Sequence, residues 1–155
     1  MGFAEVKAYF AEKGMEDRIL TFDVSSATVE LAAAAIGCEP GKIAKSLTFM
    51  TKEGPIMIVA AGYVKIDNPK FKAQFGEKAK MLPPEETLTL IGHPVGGVCP
   101  FAVKSGVKIY LDNSLKRYAQ VFPACGSGNS AIGLSIAELE MLTEYPDWID
   151  VSKEA

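Results

Sequence analysis

The sequence has few of the residues that build metal centres and disulfide frameworks. It contains three cysteines, Cys38, Cys99 and Cys125, and a single histidine, His93, and no two cysteines form a CxxC pair. An odd number of widely spaced cysteines cannot form a closed disulfide framework, and the four residues lack the spacing of a zinc site. We therefore predict no metal and no other cofactor.

Long hydrophobic runs are also missing. No stretch approaches about 18 uninterrupted apolar residues, which excludes a membrane-spanning helix. The N-terminal segment carries charges where a signal peptide has its apolar core. Yet 48% of the 155 residues are hydrophobic, and such a chain is too apolar to be disordered. We expect one cytoplasmic domain spanning residues 1–155, without membrane contact.

Familiar enzyme motifs are absent too. The sequence has no Walker A loop, no GxGxxG after a strand, no GxSxG and no HExxH. The segment 126–128, Gly-Ser-Gly, superficially resembles a phosphate loop, but it stands between two predicted strands and lacks the Lys-Ser/Thr pair. We therefore interpret this segment as a tight turn.

Positive charge is concentrated in one part of an acidic chain. Residues 42–80 contain eight lysines and three acidic residues, whereas the whole chain has a net charge of −3. An acidic protein is a poor bulk binder of nucleic acid, so DNA is not an expected partner. The basic segment could still attract a polyanion to one face, or its lysines could simply be solvated. Both interpretations remain open at this point.

Strand and helix patterns alternate along the chain. Gly37 marks the end of a helix that Ser26 could cap, and residues 52–54 form a hairpin turn. Interleaved strands and helices with hairpins indicate a mixed α/β or α+β sheet and not a doubly wound parallel one. The patterns predict helices over 3–13, 27–36, 68–75, 83–92 and 135–143, and strands over 18–23, 45–51, 55–61, 107–112, 121–125, 131–135 and 148–151.

Two features could carry chemistry. Residues 92–101 contain three glycines and two prolines, a composition that is rigid at the prolines and lets the backbone approach a ligand at the glycines. A purely structural loop is the alternative. Lys45 stands where an apolar strand begins, and it could be a fixed cation in a cleft or a surface lysine with a buried stem.

Three segments together resemble the YbaK/EbsC family, which is related to the editing (insertion) domain of bacterial prolyl-tRNA synthetases. They are residues 26–37, 42–47 and 92–101, and the match covers nearly the whole chain in the right order. The resemblance implies an α/β (α+β) fold with a mixed, largely antiparallel, barrel-like sheet surrounded by helices. It also implies a free-standing aminoacyl-tRNA deacylase that hydrolyses the ester of a mischarged tRNA, for a proline- or cysteine-related error.

The resemblance assigns roles to individual residues. Lys45 matches the family's functional lysine near the ester and the terminal adenosine, and residues 96–100 match the Gly-x-x-x-Pro loop that helps to place the attacking water and the carbonyl. The catalytic residues implied are Lys45, Gly96 and Gly97. The substrate-binding residues implied are Phe22, Ser26, Ser46, His93, Val98, Cys99, Pro100, Gly126 and Ser127, with His93 at the lip of the pocket. The tRNA-binding residues expected are Lys42, Lys65, Lys70 and Lys72.

One segment departs from the family's pattern. Some members have a serine and, a few residues on, an aspartate near the loop that corresponds to residues 124–131, and this sequence has no acid there. Roles assigned to that aspartate do not transfer to this chain, so the choice of substrate stays open.

The implied chemistry does not require a catalytic triad. Ester hydrolysis needs a water aimed at the carbonyl and donors facing the developing oxyanion, and a glycine-rich backbone can provide both while the substrate's own hydroxyls assist. The expected partners are the acceptor end of aminoacyl-tRNA and a synthetase. Two alternatives remain: a non-catalytic tRNA- or synthetase-associated binding module, and a thiol enzyme that uses Cys99 with His93. A small buried residue behind the loop is the simpler interpretation of Cys99.

Overall fold

A six-stranded mixed sheet lies at the centre of the fold. The computed structural model describes residues 2–155. Its strands are β1 (Ile19–Thr21), β2 (Ile43–Thr51), β3 (Gly54–Ala61), β4 (Val64–Ile66), β5 (Lys108–Asp112), β6 (Gln120–Pro123), β7 (Ser130–Ile132), β8 (Leu134–Ser135), β9 (Asp147–Ile149) and β10 (Ser152–Glu154). Its helices are α1 (Phe3–Glu12), α2 (Val29–Ile36), α3 (Asn68–Phe75), α4 (Pro84–Glu86, continued by a π-helical turn over Thr87–Ile91) and α5 (Ile136–Leu142), with short 3₁₀ turns at Glu16–Arg18, Pro40–Lys42 and Asn113–Arg117.

The central sheet has the strand order β8-β6-β2-β3-β5-β9. The pairs β2–β3 and β6–β8 are antiparallel, whereas β2–β6, β3–β5 and β5–β9 are parallel. Two small antiparallel pairs, β1–β7 and β4–β10, lie outside it. This arrangement confirms the expected mixed α/β fold, a curled half-barrel sheet with helices around it.

Strand β3 is buried on both faces, as its uninterrupted apolar sequence predicts. Met57 and Val59 pack into one core cluster with Leu111, and Ile58 packs into a second cluster with Phe71. Successive side chains of a strand point to opposite faces, so the β2–β3 hairpin carries both cores. Strand β2 is thereby held rigidly beside the core at the position of Lys45, which pairs with Ala60.

Several element boundaries differ from those expected from the sequence. Helix α2 begins at Val29 and its cap is Thr28, whose Oγ1 accepts a hydrogen bond from Leu31 N at 3.2 Å, so the expected cap at Ser26 is wrong. Ser26 instead donates its backbone N–H to the Gly128 carbonyl at 2.7 Å. The predicted helix over 83–92 becomes a π-helical turn after Glu86, and the predicted extended piece over 148–151 corresponds to β9. Strands β4 and β10 were not predicted.

A capping box fixes the start of α5. Ser135 Oγ accepts from Glu138 N, and Glu138 Oε1 accepts from Ser135 N at 2.9 Å. Arg18 Nη1 lies 2.6 Å from Glu138 Oε2. The Arg18 hydrogen bond, assisted by the Ser135 backbone, lowers the pKa of Glu138 to about 2. The folded chain therefore favours the ionised carboxylate.

The Arg18–Glu138 pair predicts a pH-dependent contribution to stability. Because the folded pKa lies below the ordinary value, the contribution is complete above about pH 4.5 and is lost as the pH falls towards about 2. We expect Arg18→Ala to lower the free energy of unfolding by about 1 kcal/mol at pH 7, since the pair is partly exposed. Urea unfolding of the wild type and of Arg18→Ala at pH 7, 4 and 2.5 measures this contribution. If the difference in the free energy of unfolding does not become smaller at low pH, the effect of the substitution comes from packing and not from the ion pair.

No helix among residues 2–155 has the length and hydropathy needed to cross a membrane.

Candidate active site

A cavity of about 500 Å³ opens between the start of α2, strand β2 and the loop of residues 93–101. Its lining is mostly apolar, and among the lining residues only Lys45 carries a charged side chain. The lining residues are Ser26, Ala27, Thr28, Val29, Ala32, Ile43, Ala44, Lys45, Ser46, Leu47, Thr48, Met81, Leu82, Pro84, Thr87, Val95, Gly96, Val98, Phe122, Ala124, Ser130 and Ala131.

Some of the catalytic and substrate-binding residues expected from the sequence line this cavity, and the others lie outside its lining. The expected residues that line the cavity are Ser26, Lys45, Ser46, Gly96 and Val98. The expected residues outside the lining are Phe22, His93, Gly97, Cys99, Pro100, Gly126 and Ser127.

Lys45 is the third residue of β2, and its side chain is half-buried. Its Nζ donates a hydrogen bond to the Val64 carbonyl, at the start of β4. Burial lowers the pKa of Lys45, and the negative charge of Glu30 on α2 partly opposes that effect. An ammonium that is partly desolvated and held by one carbonyl is a stronger electrostatic partner than a solvated surface lysine.

The glycine-rich loop approaches its neighbours through bare backbone. Gly96 has a φ of +94°, and a Cβ placed there would lie 3.0 Å from Ala27 Cβ. Gly97 donates its N–H to the Pro94 carbonyl at 3.0 Å, and a Cβ on Gly97 would lie 2.4 Å from Ser127 N. These two positions therefore require glycine for different reasons, a left-handed backbone at Gly96 and a backbone-to-backbone contact at Gly97.

The side chains of His93 and Cys99 are buried on the inner side of the loop of residues 93–101, and neither lines the cavity. Both are fully buried, which differs from the expected position of His93. Because a carbonyl only accepts, His93 Nε2 donates to Phe101 O at 2.7 Å, and Nδ1 has no partner in the part of the chain that the structure describes. Burial raises the pKa of the Cys99 thiol to about 12. Such a thiol is not ionised at neutral pH, which argues against the thiol-enzyme alternative.

A hydrogen-bonded frame joins residues 22–26 to residues 126–130. Phe22 N donates to the Asn129 carbonyl at 2.9 Å, and Asn129 Nδ2 donates to the Phe22 carbonyl at 3.1 Å. Ser127 Oγ bonds Asn129 Oδ1 at 2.9 Å and lies 2.6 Å from Ser130 Oγ. The frame satisfies the polar groups of Phe22 and Ser127 internally and fixes the wall of the cavity. No carboxylate or imidazole is among the lining residues described.

The expected tRNA-binding lysines lie outside the lining of the cavity. Lys70 Nζ bonds Asp150 at 3.0 Å and the Ser152 carbonyl at 2.8 Å, so it is used within the fold. Lys65 is exposed opposite Lys153 in the β4–β10 pair, and Lys42 is partly buried in the 3₁₀ turn before β2. Lys72 is exposed beside a second hollow lined by Asn68, Pro69, Lys72, Lys78 and Ala79.

Sequence reasoning missed the contribution of residues 81–87 to the cavity. This segment is placed by pairing with β2: Leu82 N donates to Thr48 O at 3.1 Å and Met50 N donates to Lys80 O at 2.9 Å. The two consecutive prolines at 83–84 indicate a break in regular structure. They do not indicate that the preceding residues pair with β2.

Comparison with known sequences identifies the family. The sequence profile of the aminoacyl-tRNA editing domain matches residues 23–142. The chain belongs to the aminoacyl-tRNA editing domain family. The matched range contains every residue that lines the cavity, so the cavity is a feature of the editing domain itself.

Individual relatives of this editing domain are of two kinds. The uncharacterized protein YwhH of Bacillus subtilis (strain 168) is 48% identical over 155 residues, which is 99% of each chain. A proline–tRNA ligase of Thermosipho melanesiensis is 30% identical over 137 residues, or 88% of this chain. The match spans 24% of the ligase, so this chain corresponds to about a quarter of that enzyme.

Solved structures agree with the assignment. A crystal structure described as that of a candidate trans-editing enzyme for prolyl tRNA synthetase superposes with a TM-score of 0.88 at 27% identity, and the match covers 98% of this chain and 97% of the other. The resemblance to the YbaK/EbsC family and to the prolyl-tRNA synthetase editing domain, expected from the sequence, is thereby confirmed.

Proposed function

We propose that this editing domain is a free-standing deacylase, which hydrolyses the ester between a wrong amino acid and the acceptor end of a tRNA. The observation that carries the proposal is the cavity of about 500 Å³, which Lys45 and the Gly96 backbone enter from different elements. The ester carbonyl binds between them, and the apolar lining receives a small amino-acid side chain. Lys45 and Gly96 are the catalytic residues of this proposal. Gly97, which lies outside the lining and donates its N–H to the Pro94 carbonyl, positions the loop.

The proposed reaction is a direct attack of water on the ester carbonyl. A bond forms between the water oxygen and the carbonyl carbon, the bond to the ribose oxygen breaks, and the released ribose oxygen takes a proton. Backbone N–H groups of the glycine loop and the Lys45 ammonium stabilise the developing negative charge. Since the described lining holds no carboxylate or imidazole, a neighbouring ribose hydroxyl of the substrate positions the water and relays its proton.

We propose a proline- or cysteine-related error as the substrate, and the relatives support the proline-related one. A proline–tRNA ligase contains a segment similar to most of this chain, so we propose that the tRNA is the one charged with proline. A panel of this tRNA carrying alanine, cysteine, serine or proline, together with cysteine tRNA carrying a wrong amino acid, tests the assignment. With saturating protein, we expect at least one mischarged ester to be lost roughly 10⁴ times faster than in buffer, an effect within the range of positioned acid–base catalysis. If every ester is hydrolysed at the same rate with the protein as in buffer alone, the proposed activity is contradicted.

The exposed lysines beside the second hollow provide a separate test of tRNA binding. We expect Lys72→Glu/Lys78→Glu to weaken deacylation of aminoacyl-tRNA and to flatten its salt dependence. The slope of log kcat/KM against log salt should change by about 0.7 for each phosphate that the lysines no longer neutralise. Hydrolysis of a minimal aminoacyl-adenosine ester should not change, because that ester has no phosphates. Both substrates are assayed between about 50 and 200 mM salt, the range over which phosphate binding weakens strongly.

The matched control is Lys7→Glu/Lys108→Glu, which changes the net charge equally at exposed positions outside the cavity lining. If this control reproduces the effect, the tRNA responds to overall charge and not to the hollow. If kcat/KM falls as much for the minimal ester as for aminoacyl-tRNA, Lys72 and Lys78 support the fold of the site and not the binding of phosphates.

A further inference from the structure

The outer edge of β2 is paired at two places and open between them. At its start, Ile43 and Ala44 pair with Phe122 and Pro123 of β6. Further along, Phe49 forms a bridge with Met81. Among residues 2–155, no strand faces Ser46 on this side, and Ser46 lines the cavity. The cavity therefore contains a gap in the pairing of β2, between Ala44 and Phe49.

The register shows which groups of Ser46 face this gap. In an antiparallel strand, alternate residues direct both the N–H and the C=O to the same edge. Thr48 O and Met50 N bond the segment of residues 80–82, so both residues face away from β3. Ser46, two residues before Thr48, consequently directs its N–H and C=O into the gap.

Two side-chain hydroxyls add to these backbone groups. Ser46 Oγ is buried and has no hydrogen-bond partner within residues 2–155, and the same holds for Ser26 Oγ, on a residue that is only 7% exposed. Both residues line the same cavity. Buried polar groups are normally satisfied, and leaving them unpaired destabilises the fold. Polar groups left free together in an otherwise apolar pocket are typical of a ligand-binding subsite.

We propose that this gap binds the free α-amino group of the esterified amino acid, so that the enzyme hydrolyses aminoacyl esters and excludes N-acylated esters such as peptidyl-tRNA. The inference rests on the proposed deacylase function. The described lining holds no carboxylate, so an α-ammonium must be met by uncharged oxygens. The Ser46 carbonyl, Ser46 Oγ and Ser26 Oγ supply three acceptors for its three N–H donors.

Lys45 has a partner of its own and the amine would have another. The Lys45 ammonium donates to the Val64 carbonyl, whereas the Ser46 backbone faces the outer edge of β2. Acylation of the amine removes its charge and two of its donors. It also adds bulk where β6 and residues 80–82 bound the gap on either side.

The test compares three esters of one amino acid, the best substrate of the panel: the free-amine form, the N-acetyl form and the form in which hydrogen replaces the amino group. Each rate is divided by the spontaneous rate of the same ester. We expect the free-amine ester to exceed both others by roughly 100-fold in kcat/KM, the effect of losing two hydrogen bonds to a charged group. Equal rates for the free-amine and amine-lacking esters overturn the inference, whether or not the N-acetyl ester is excluded.

Variants connect the selectivity to the gap. We expect Ser26→Ala and Ser46→Ala each to reduce kcat/KM for the free-amine ester roughly 10-fold, the effect of one hydrogen bond to a charged group, and to leave the amine-lacking ester almost unchanged. A structural role would lower both esters equally and would contradict the inference. Ser105→Ala, at an exposed position outside the lining, is the control.

A binding measurement separates this inference from the deacylase proposal. Adenosine carrying alanine through a non-hydrolysable 3′-amide is titrated by calorimetry against its analogue without the α-amino group. Tighter binding of the free-amine compound supports the proposal that the gap binds the α-amino group, even if no ester is hydrolysed. Absence of hydrolysis would contradict only the deacylase function. Equal binding of the two compounds would contradict the amine subsite and would leave the deacylase function untouched.

Discussion

Lys45→Ala is expected to reduce deacylation of the best mischarged tRNA by roughly 10²–10³-fold, the effect of removing one preorganised charge from a transition state. Lys45 is the one charged side chain among the described lining residues, and β2 holds it against the core. The loss should appear in kcat as well as in kcat/KM, because the developing charge exists only in the transition state. Single-turnover deacylation measures it.

The fold should survive this substitution. Burial lowers the pKa of Lys45, which means that the folded chain disfavours the charged form. That penalty is complete below the lowered pKa and is relieved as the pH rises from there towards the ordinary lysine value. Lys45→Met, which keeps the length of the side chain without its charge, should therefore unfold at the same or higher urea concentration than the wild type while remaining inactive.

Two comparisons keep this prediction specific. Lys108→Ala, at an exposed position of the same central sheet, should retain full activity. Lys45→Arg keeps a cation whose pKa is far above neutral, so its residual activity should persist at an alkaline pH where the wild type declines. Wild-type turnover in Lys45→Ala would remove Lys45 from the catalytic site.

Gly97→Ala is expected to have the second largest effect. Its Cβ would lie 2.4 Å from Ser127 N and 2.5 Å from the Gly126 carbonyl carbon, and both are backbone atoms that no rotamer change can move. The loop of residues 93–101 must shift away from the 126–130 frame. We expect activity to fall by roughly 100-fold, as for an ångström-scale misplacement of catalytic groups. The free energy of unfolding should fall by about 1–3 kcal/mol.

Gly128→Ala is the matched control for this change. It lies in the same frame, and the nearest contact of its Cβ is Ala27 Cβ at 3.6 Å, an ordinary van der Waals distance. Activity and urea stability of both variants are measured together. If Gly97→Ala retains the wild-type rate, the close backbone contact does not position the catalytic loop. Gly96→Val should also be inactive, but because of strain at its φ of +94°.

Local sequence signals predicted the parts of the site that local rules determine. Lys45 at the start of a strand, the hairpin of β2 and β3, and the glycine-rich loop all follow from short patterns of apolar residues, glycine and proline. The cap of α2 illustrates the limit. Ser25, Ser26 and Thr28 are all capable caps, and a distant bond, from Ser26 N to the Gly128 carbonyl, accompanies the choice of Thr28.

Long-range pairing determines the remainder. The gap beside Ser46 exists because β6 stops pairing at Ala44 and residues 80–82 begin pairing at Thr48, and neither fact is encoded near Ser46. The burial of His93 has the same origin. A single histidine in a glycine-rich loop suggests a ligand-facing group, whereas here it donates to Phe101 O and joins the two ends of its own loop.

The central claim is that this editing domain accelerates the loss of a wrong amino acid from tRNA, and the most direct test is the rate of that loss with the protein at one-tenth of the tRNA concentration. The account predicts that the ester disappears faster than in buffer and that each protein molecule releases several amino acids. A rate equal to that in buffer would contradict it. A rate slower than in buffer would show a binding module that shields the ester instead of hydrolysing it.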